Sequence, residues 1–198
     1  VTYLRETLFG DLPTMQPDVS LLYLSNLKNA VHWIVKIEQI DMLCDDVRQH
    51  SENAFHTAMH LSNLLSVSEH LPVREHAGEA LLTVADYLTV DQRNEIAVDL
   101  LRELENGQEQ IARFIPPYLG RLVCSLPEKE IMEAVDYLEA LLRSGTVRPA
   151  GPALSALGSL IASLPEGSRE LTDRCLGLLL VGVAHYHAPI HQSALCVL

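Results

Sequence analysis

Leu119-Gly-Arg-Leu-Val-Cys-Ser-Leu-Pro-Glu128 returns as Leu157-Gly-Ser-Leu-Ile-Ala-Ser-Leu-Pro-Glu166, an interval of 38 residues. The interval keeps working in both directions. Leu81, Leu119, Leu157 and Leu195 share one column; Val84, Leu122, Leu160 and Leu198 share a second. Leu88, Leu126 and Leu164 make a third, and Ala80, Tyr118, Ala156 and Ala194 a fourth. Columns spaced three and four apart lie on one stripe of an α-helix, because a turn holds 3.6 residues. Self-similarity at this period marks a chain assembled from stacked supersecondary units.

A second stripe lies between these, with Leu100, Leu138 and Leu176 in one column and Leu104, Leu142 and Leu180 in another. Each period therefore holds two amphipathic helices. The first of the pair ends at Asn106-Gly107 and at Ser144-Gly145, where glycine can take the left-handed conformation that closes many helices. The second begins near Pro72, Pro149 and Pro189, since proline's fixed φ and missing N–H are tolerated in a first turn. Upstream the register loosens: Ile40, Leu43, Cys44 and Val47 match Leu81, Val84, Ala85 and Leu88 at an offset of 41, a degenerate earlier repeat. The pattern predicts a short helix before Pro13 and helices over about 19–28, 30–50 and 52–68. Further helices follow at 73–89, 91–105, 110–126, 128–143, 149–164 and 169–184, with the start of another from 189. Pro116-Pro117 falls inside the 110–126 segment and predicts either a kink or a helix that starts at Pro116. Sustained period-two alternation and hairpin dipeptides are missing, so no strand is expected.

Composition narrows the partners. Fourteen basic against 26 acidic side chains leave a net charge of −12, which repels phosphate backbones. Arg74, Arg93, Arg102, Arg113 and Arg121 are scattered singly, only three residues are lysine, and aromatic side chains are few, so nucleic acid is not an expected partner. The most apolar run, Cys175 to Ala184, is about half of what a helix needs to cross a bilayer, so no membrane span is expected. Cys44, Cys124, Cys175 and Cys196 have no close spacing and sit in apolar helical patterns, which reads as reduced core thiols of a cytoplasmic protein. No secretory leader is visible. The chain opens without Met and closes on the apolar pattern Ser193-Ala-Leu-Cys-Val-Leu198, which reads as a piece of a longer protein.

A two-helix unit of about forty residues with proline at the turn into its second helix resembles the HEAT repeat family, over residues 30–198. The Asp that usually precedes Val-Arg in that family's turn is missing from Pro72-Val73-Arg74 and from Val147-Arg148-Pro149. Tetratricopeptide repeats have a similar period, but the Gly and Tyr positions of their first helix have no equivalents here. Armadillo, with three helices per unit, is a close relative and stays open. The resemblance implies an all-α, right-handed α-solenoid of stacked antiparallel helix pairs, with an N-terminal helical segment over 1–29 and one continuous repeat domain over 30–198. Gly120 and Gly158, in the second-helix column, cost helix stability relative to Ala and mark points of close helix approach.

The family's second helices line the surface that grips a partner, so the resemblance implies a protein-binding surface at their non-core positions. Register alone selects Glu79, Thr83, Asp86, Arg121 and Ser159. Two histidine groups are weaker candidates for metal. His56 and His60 stand one turn apart with Glu52 a turn earlier, but Phe55, Ala58, Met59, Leu61 and Leu65 form the opposite, apolar face, so the pair points to solvent. A zinc protease would also need Glu directly after the first His, where Thr57 stands. His185, His187 and His191 gather in a turn and fit either a metal or a pH-sensitive contact. No His-Asp dipeptide, Gly-rich phosphate loop, Gly-x-Ser-x-Gly elbow or Cys/His pairing occurs, and neither catalysis nor a cofactor is expected. The leading expectation is a scaffold for protein partners. The alternative is a regulatory or substrate-presenting segment of a multidomain enzyme whose active site lies elsewhere.

Overall fold

The computed structural model describes residues 32–107, 112–144, 147–185 and 187–197. The helices expected before Pro13 and over 19–28, the start of the 110–126 segment and Gly145 lie outside these residues. Among the described residues there are nine α-helices and no strand. They are α1 Trp33–Gln49, α2 Ala54–Val67, α3 Leu71–Ala85, α4 Val90–Asn106, α5 Pro116–Cys124, α6 Glu128–Arg143, α7 Val147–Ser163, α8 Arg169–Val183 and α9 Ala188–Val197, with a 3-10 turn at Ser51–Asn53 before α2.

Local chemistry sets the starts. Thr89 caps α4 through a capping box: its hydroxyl accepts from the Gln92 N–H at 3.3 Å while the Thr89 N–H donates to Gln92 Oε1 at 3.0 Å. Pro72 sits in the first turn of α3, and Pro116-Pro117 open α5, where the missing N–H groups have no helical partner to lose. Of the two outcomes expected at Pro116, the helix start is the one realised. Pro152, by contrast, sits inside α7, where it removes the N–H that would bond the Arg148 carbonyl.

The helices pack as two rows. Helices α1, α3, α5, α7 and α9 follow one another in one row, the second row because it holds the second helix of each pair, and α2, α4, α6 and α8 form the first row, while the hairpins α2/α3, α4/α5, α6/α7 and α8/α9 join the rows. Helix α1 thus takes the place of a second helix in an earlier unit. The offset of 41 reflects this, since Ile40, Leu43 and Val47 are as fully buried as Leu81, Val84 and Leu88. A single apolar cluster runs the length of the stack between the rows. Burying one leucine is worth roughly 1.5–3 kcal/mol, and in such arrays each unit draws its stability from its neighbours.

Glycines set the spacing within the second row. A Cβ on Gly120 would lie 2.7 Å from the Ser159 carbonyl carbon and 2.8 Å from the Leu160 nitrogen, so α5 and α7 meet backbone to backbone. Gly158 meets the Val197 side chain of α9, a close approach of side chain to backbone that its column predicts. Gly78 on α3 does the same beneath the Tyr118 ring, a third close approach that the columns did not reveal.

Four expectations need correction. Gly107 closes α4 in an extended conformation, φ −65°, and is required for another reason: a Cβ there would run into the Glu103 carbonyl oxygen. Leu176, Leu180 and Leu195, placed by period in the inward columns, are 37%, 59% and 53% exposed. Helix α8 instead buries Leu171, Cys175, Leu178 and Leu179, which stand 37 residues after Ala134, Leu138, Leu141 and Leu142 of α6. From Cys175 onward its sequence is apolar on every side, so periodicity alone selects no face. Gly182 selects it, by letting α8 approach Leu154 of α7 and Ala194 of α9. Met59 is exposed on the histidine side of α2, because its partner row covers Ala58, Leu61 and Leu65 and not the flank. Cys44 and Cys175 are buried, but Cys124 is half-buried and Cys196 exposed, on the flank of α9 away from Ile190 and Ala194.

Candidate functional site

Four of the five positions chosen by register lie on second-row helices and the fifth, Asp86, caps one, and four of the five meet. Glu79 and Thr83 of α3, Asp86 capping its C-terminal end, and Arg121 of α5 line a cleft of about 310 Å³ between those helices, with Leu82 and Ser125 beside them. Arg121 Nη1 donates to both Glu79 carboxylate oxygens, at 2.9 and 3.1 Å, across the two repeats. Both side chains are more than half exposed, so the pair contributes at most about 1 kcal/mol to stability and serves mainly to fix side-chain positions. Thr83 is committed locally, its hydroxyl donating to the Glu79 carbonyl at 3.1 Å. Among the described residues Asp86 makes no ion pair or hydrogen bond through its side chain. The cleft therefore offers one free carboxylate beside a cation already neutralised.

Ser159 does not join them. Its hydroxyl donates to the Pro117 carbonyl at 3.2 Å, and its backbone lies against Gly120. It ties α7 to α5 where the two helices touch.

Tyr118, which sequence reasoning treated as a core position, shapes the cleft. Its ring stands over Gly78 and its hydroxyl donates to the Glu75 carbonyl at 3.2 Å, joining α5 to α3. Burial pushes its phenol above the usual range, and the carboxylates of Glu79 and Glu75 add to the rise. Similar polar ties recur in the other row. Arg174 of α8 reaches Asp136 and Glu139 of α6, the latter at 2.8 Å, and the Tyr137 hydroxyl of α6 donates to Glu105 of α4. A further buried polar group escaped the sequence reading. Asp46, at the end of α1, takes His50 Nδ1 at 3.2 Å and the Asn53 amide at 3.1 Å, holding the turn into α2. Nothing in an Asp45-Asp46 pair distinguishes that role from a solvated face.

The histidines do not converge. His56 and His60 are exposed on α2, and burial, then His56, lowers the His60 pKa. The His185 and His187 rings stack with centroids 5.3 Å apart, and the His187 N–H donates to His185 Nδ1 at 3.2 Å. His191 turns away to bond the Val183 carbonyl near the end of α8 through Nδ1. Among the described residues no group of three or more His, Cys, Asp or Glu side chains is placed to hold a metal ion. Nor is any described helix long and apolar enough to cross a membrane.

Helical hairpins in two parallel rows, repeating every 37 to 41 residues with successive units packed side by side, define the architecture. The chain is an armadillo/HEAT-like helical repeat. No family model and no curated protein matches it. Among solved structures it is similar to an engineered protein, 18% identical over 89% of this chain and 76% of that one, with a TM-score of 0.44. It is also similar to a designed armadillo repeat protein in complex with the peptide (KR)4, 17% identical over 88% of this chain and 78% of that one, with a TM-score of 0.43. The fold assignment rests on the repeat geometry of the chain itself.

Proposed function

We propose that this repeat array is a non-catalytic scaffold that holds a protein partner along its second-helix row, with the α3–α5 cleft as the anchoring point. One observation carries the reading: Glu79, Thr83, Asp86 and Arg121, chosen by register on two different repeats, line a single cleft. Grooves between like helices of successive units are where such arrays present extended binding surfaces. Because Glu79 occupies Arg121, the charge open to a partner is that of Asp86, and a basic side chain on the partner complements it. The four cysteines are free, which suits a reducing cytoplasmic setting.

Affinity capture with the wild-type chain, with Asp86→Lys, with Arg121→Glu and with the control Glu95→Lys on the opposite row tests this. A partner retained by the wild type and the control, lost with Asp86→Lys and held at least as tightly with Arg121→Glu, which adds negative charge to the cleft, is the expected result. Partners that are indifferent to both cleft reversals would show that the cleft does not bind them.

A further inference from the structure

Between α7 and α9 the second row opens again, in a groove of about 500 Å³. Gly151, Pro152 and Ser155 of α7 face Pro189 and Gln192 of α9, and Arg113, just before α5, completes the lining. Gly151 brings the two helices together, since an added Cβ there would lie 3.1 Å from Ser193 Oγ. Pro189 and Ser193 thus stand on the side of α9 turned toward α7, and Leu195 points the other way along the helix turn. A further helix pair stacked beyond α8 and α9 would lie on the Leu195 side and leave this groove open.

The groove differs in charge from the other clefts. The one between α3 and α5 carries Glu79 and Asp86, the one between α2 and α4 carries Asp99 and Glu103, and the one beside the α5–α6 and α7–α8 turns carries Glu128 and Glu170. Among the described residues no carboxylate lines the α7–α9 groove, in a chain of net charge −12, and the first turns of α7 and α9 hold no acidic residue either. Its cation is uncommitted. Arg74 and Arg148, at the starts of α3 and α7, donate to the Ser68 carbonyl and, at 2.8 Å, to the Gly107 carbonyl, each closing a first-row helix. Arg113 has no such acceptor: it is exposed, and its guanidinium lies 4.7 Å from the centre of the Phe114 ring, which orients it without occupying its N–H groups. Among the described residues the side chains of Arg113, Ser155 and Gln192 make no hydrogen bond or ion pair. Three unpartnered donors beside the apolar surfaces of Pro152 and Pro189 have the make-up of a ligand site, in which a few polar groups converge on a shaped apolar groove.

We infer that this groove holds an acidic segment of a partner protein, with a Glu or Asp side chain on Arg113 and small apolar residues against Pro152 and Pro189. A guanidinium presents paired N–H groups that match a carboxylate bidentately, and the Ser155 hydroxyl and Gln192 amide are free to bond the segment's backbone. Phosphate recognition draws on clusters of arginine, whereas one open guanidinium lines this groove, so the carboxylate is the fitting anion. The site adds to the proposed scaffold a second anchor on the same row, opposite in charge to the α3–α5 cleft and independent of it.

Fluorescence anisotropy with a short fluorescein-labelled peptide of alternating Ala and Glu, and with Gln, Lys and phosphoserine versions of it, reads the outcome directly. The Glu peptide should bind the wild type saturably, and the Gln and Lys peptides at least tenfold more weakly. Arg113→Gln should weaken the Glu peptide at least tenfold. Ser155→Tyr, which fills the groove and leaves its charge unchanged, should do the same, both with an unchanged helical circular dichroism spectrum. Asp86→Lys in the α3–α5 cleft should leave this binding largely unchanged, so a failure here and a failure of that cleft are read separately. A wild type that does not bind the Glu peptide overturns the inference, as does an Arg113→Gln or Ser155→Tyr chain that binds it as tightly as the wild type. A phosphoserine peptide held tenfold more tightly than the Glu peptide also overturns it, since the groove would then read phosphate.

Discussion

Gly120→Ala tests the packing at its tightest point. In a free helix the change stabilises by about 1 kcal/mol, because glycine carries the larger backbone entropy. Here the new methyl would sit 2.7 Å from the Ser159 carbonyl carbon and 2.8 Å from the Leu160 nitrogen, and both belong to a helix backbone that no rotamer change can move. Helix α7 has to shift bodily, and overpacking of this kind costs about 1–3 kcal/mol. The net expectation is a loss of up to about 2 kcal/mol, equivalent for a chain of this length to a fall in melting temperature of up to roughly 8 °C. Gly177→Ala is the matched control, since its methyl enters open space on α8 and should raise the melting temperature by roughly 2–4 °C. Circular dichroism at the helix band measures both. Because units couple to their neighbours, the lone tryptophan, Trp33 on α1, should report melting later than the helix signal in Gly120→Ala. The reasoning fails if Gly120→Ala melts at or above the wild type, or if the two substitutions move stability the same way.

Burial pushes the Cys44, Cys124 and Cys175 thiols up to about 11, so at pH 8 a thiol reagent should find one fast-reacting group, exposed Cys196, and the other three only on unfolding; a second fast equivalent in native protein contradicts the packing. The hydrogen bond from Arg174 holds Glu139 below the usual carboxylate range, against a smaller upward push from burial. That stability is in full force above the ordinary carboxylate range and fades as pH falls through the depressed folded value. The gap between wild type and Arg174→Met in urea melts should therefore be constant from neutral pH to about 5 and narrow below about 4; an unchanged gap at acid pH would mean the pair is not its source. Thr57 is fully buried, and among the described residues its hydroxyl has no hydrogen-bond partner, so Thr57→Val should gain about 1 kcal/mol in the same melts; a loss would reveal a bonded hydroxyl.

The sequence reveals the element order well because signals at several levels agree. Pro127 before α6, the Thr89–Gln92 box at α4 and the prolines opening α5 each stop or start a helix where the apolar period also turns over. The offset of 41 correctly ties α1 to α3 despite the looser register. The errors arise where one level is silent. Helix α8 has leucine or valine on all sides, so its period does not choose a face, and the deciding contact is a glycine against Leu154 and Ala194, distant in sequence. Gly107 invites a left-handed close, yet the same absence of a Cβ serves an extended one. For the cleft, register was enough to pick residues on two helices, because like positions of successive repeats must face one another. It failed at Ser159, since periodicity gives direction but not distance.

Distance is what decides where the second row can open. Gly120 draws α5 and α7 together until the backbones touch, so Ser159 is consumed as a tie between those helices. One step earlier the residue preceding Leu119 is tyrosine where the next repeats have alanine at 156 and 194. That ring stands over Gly78 and bonds the Glu75 carbonyl, so the separation of α3 and α5 there is set by an aromatic ring and not by a methyl. The space left beyond the ring is the one lined by Leu82, Thr83, Asp86 and Arg121. A single departure from the repeat, tyrosine in a column otherwise small, thus sets the separation of α3 and α5 beside this cleft.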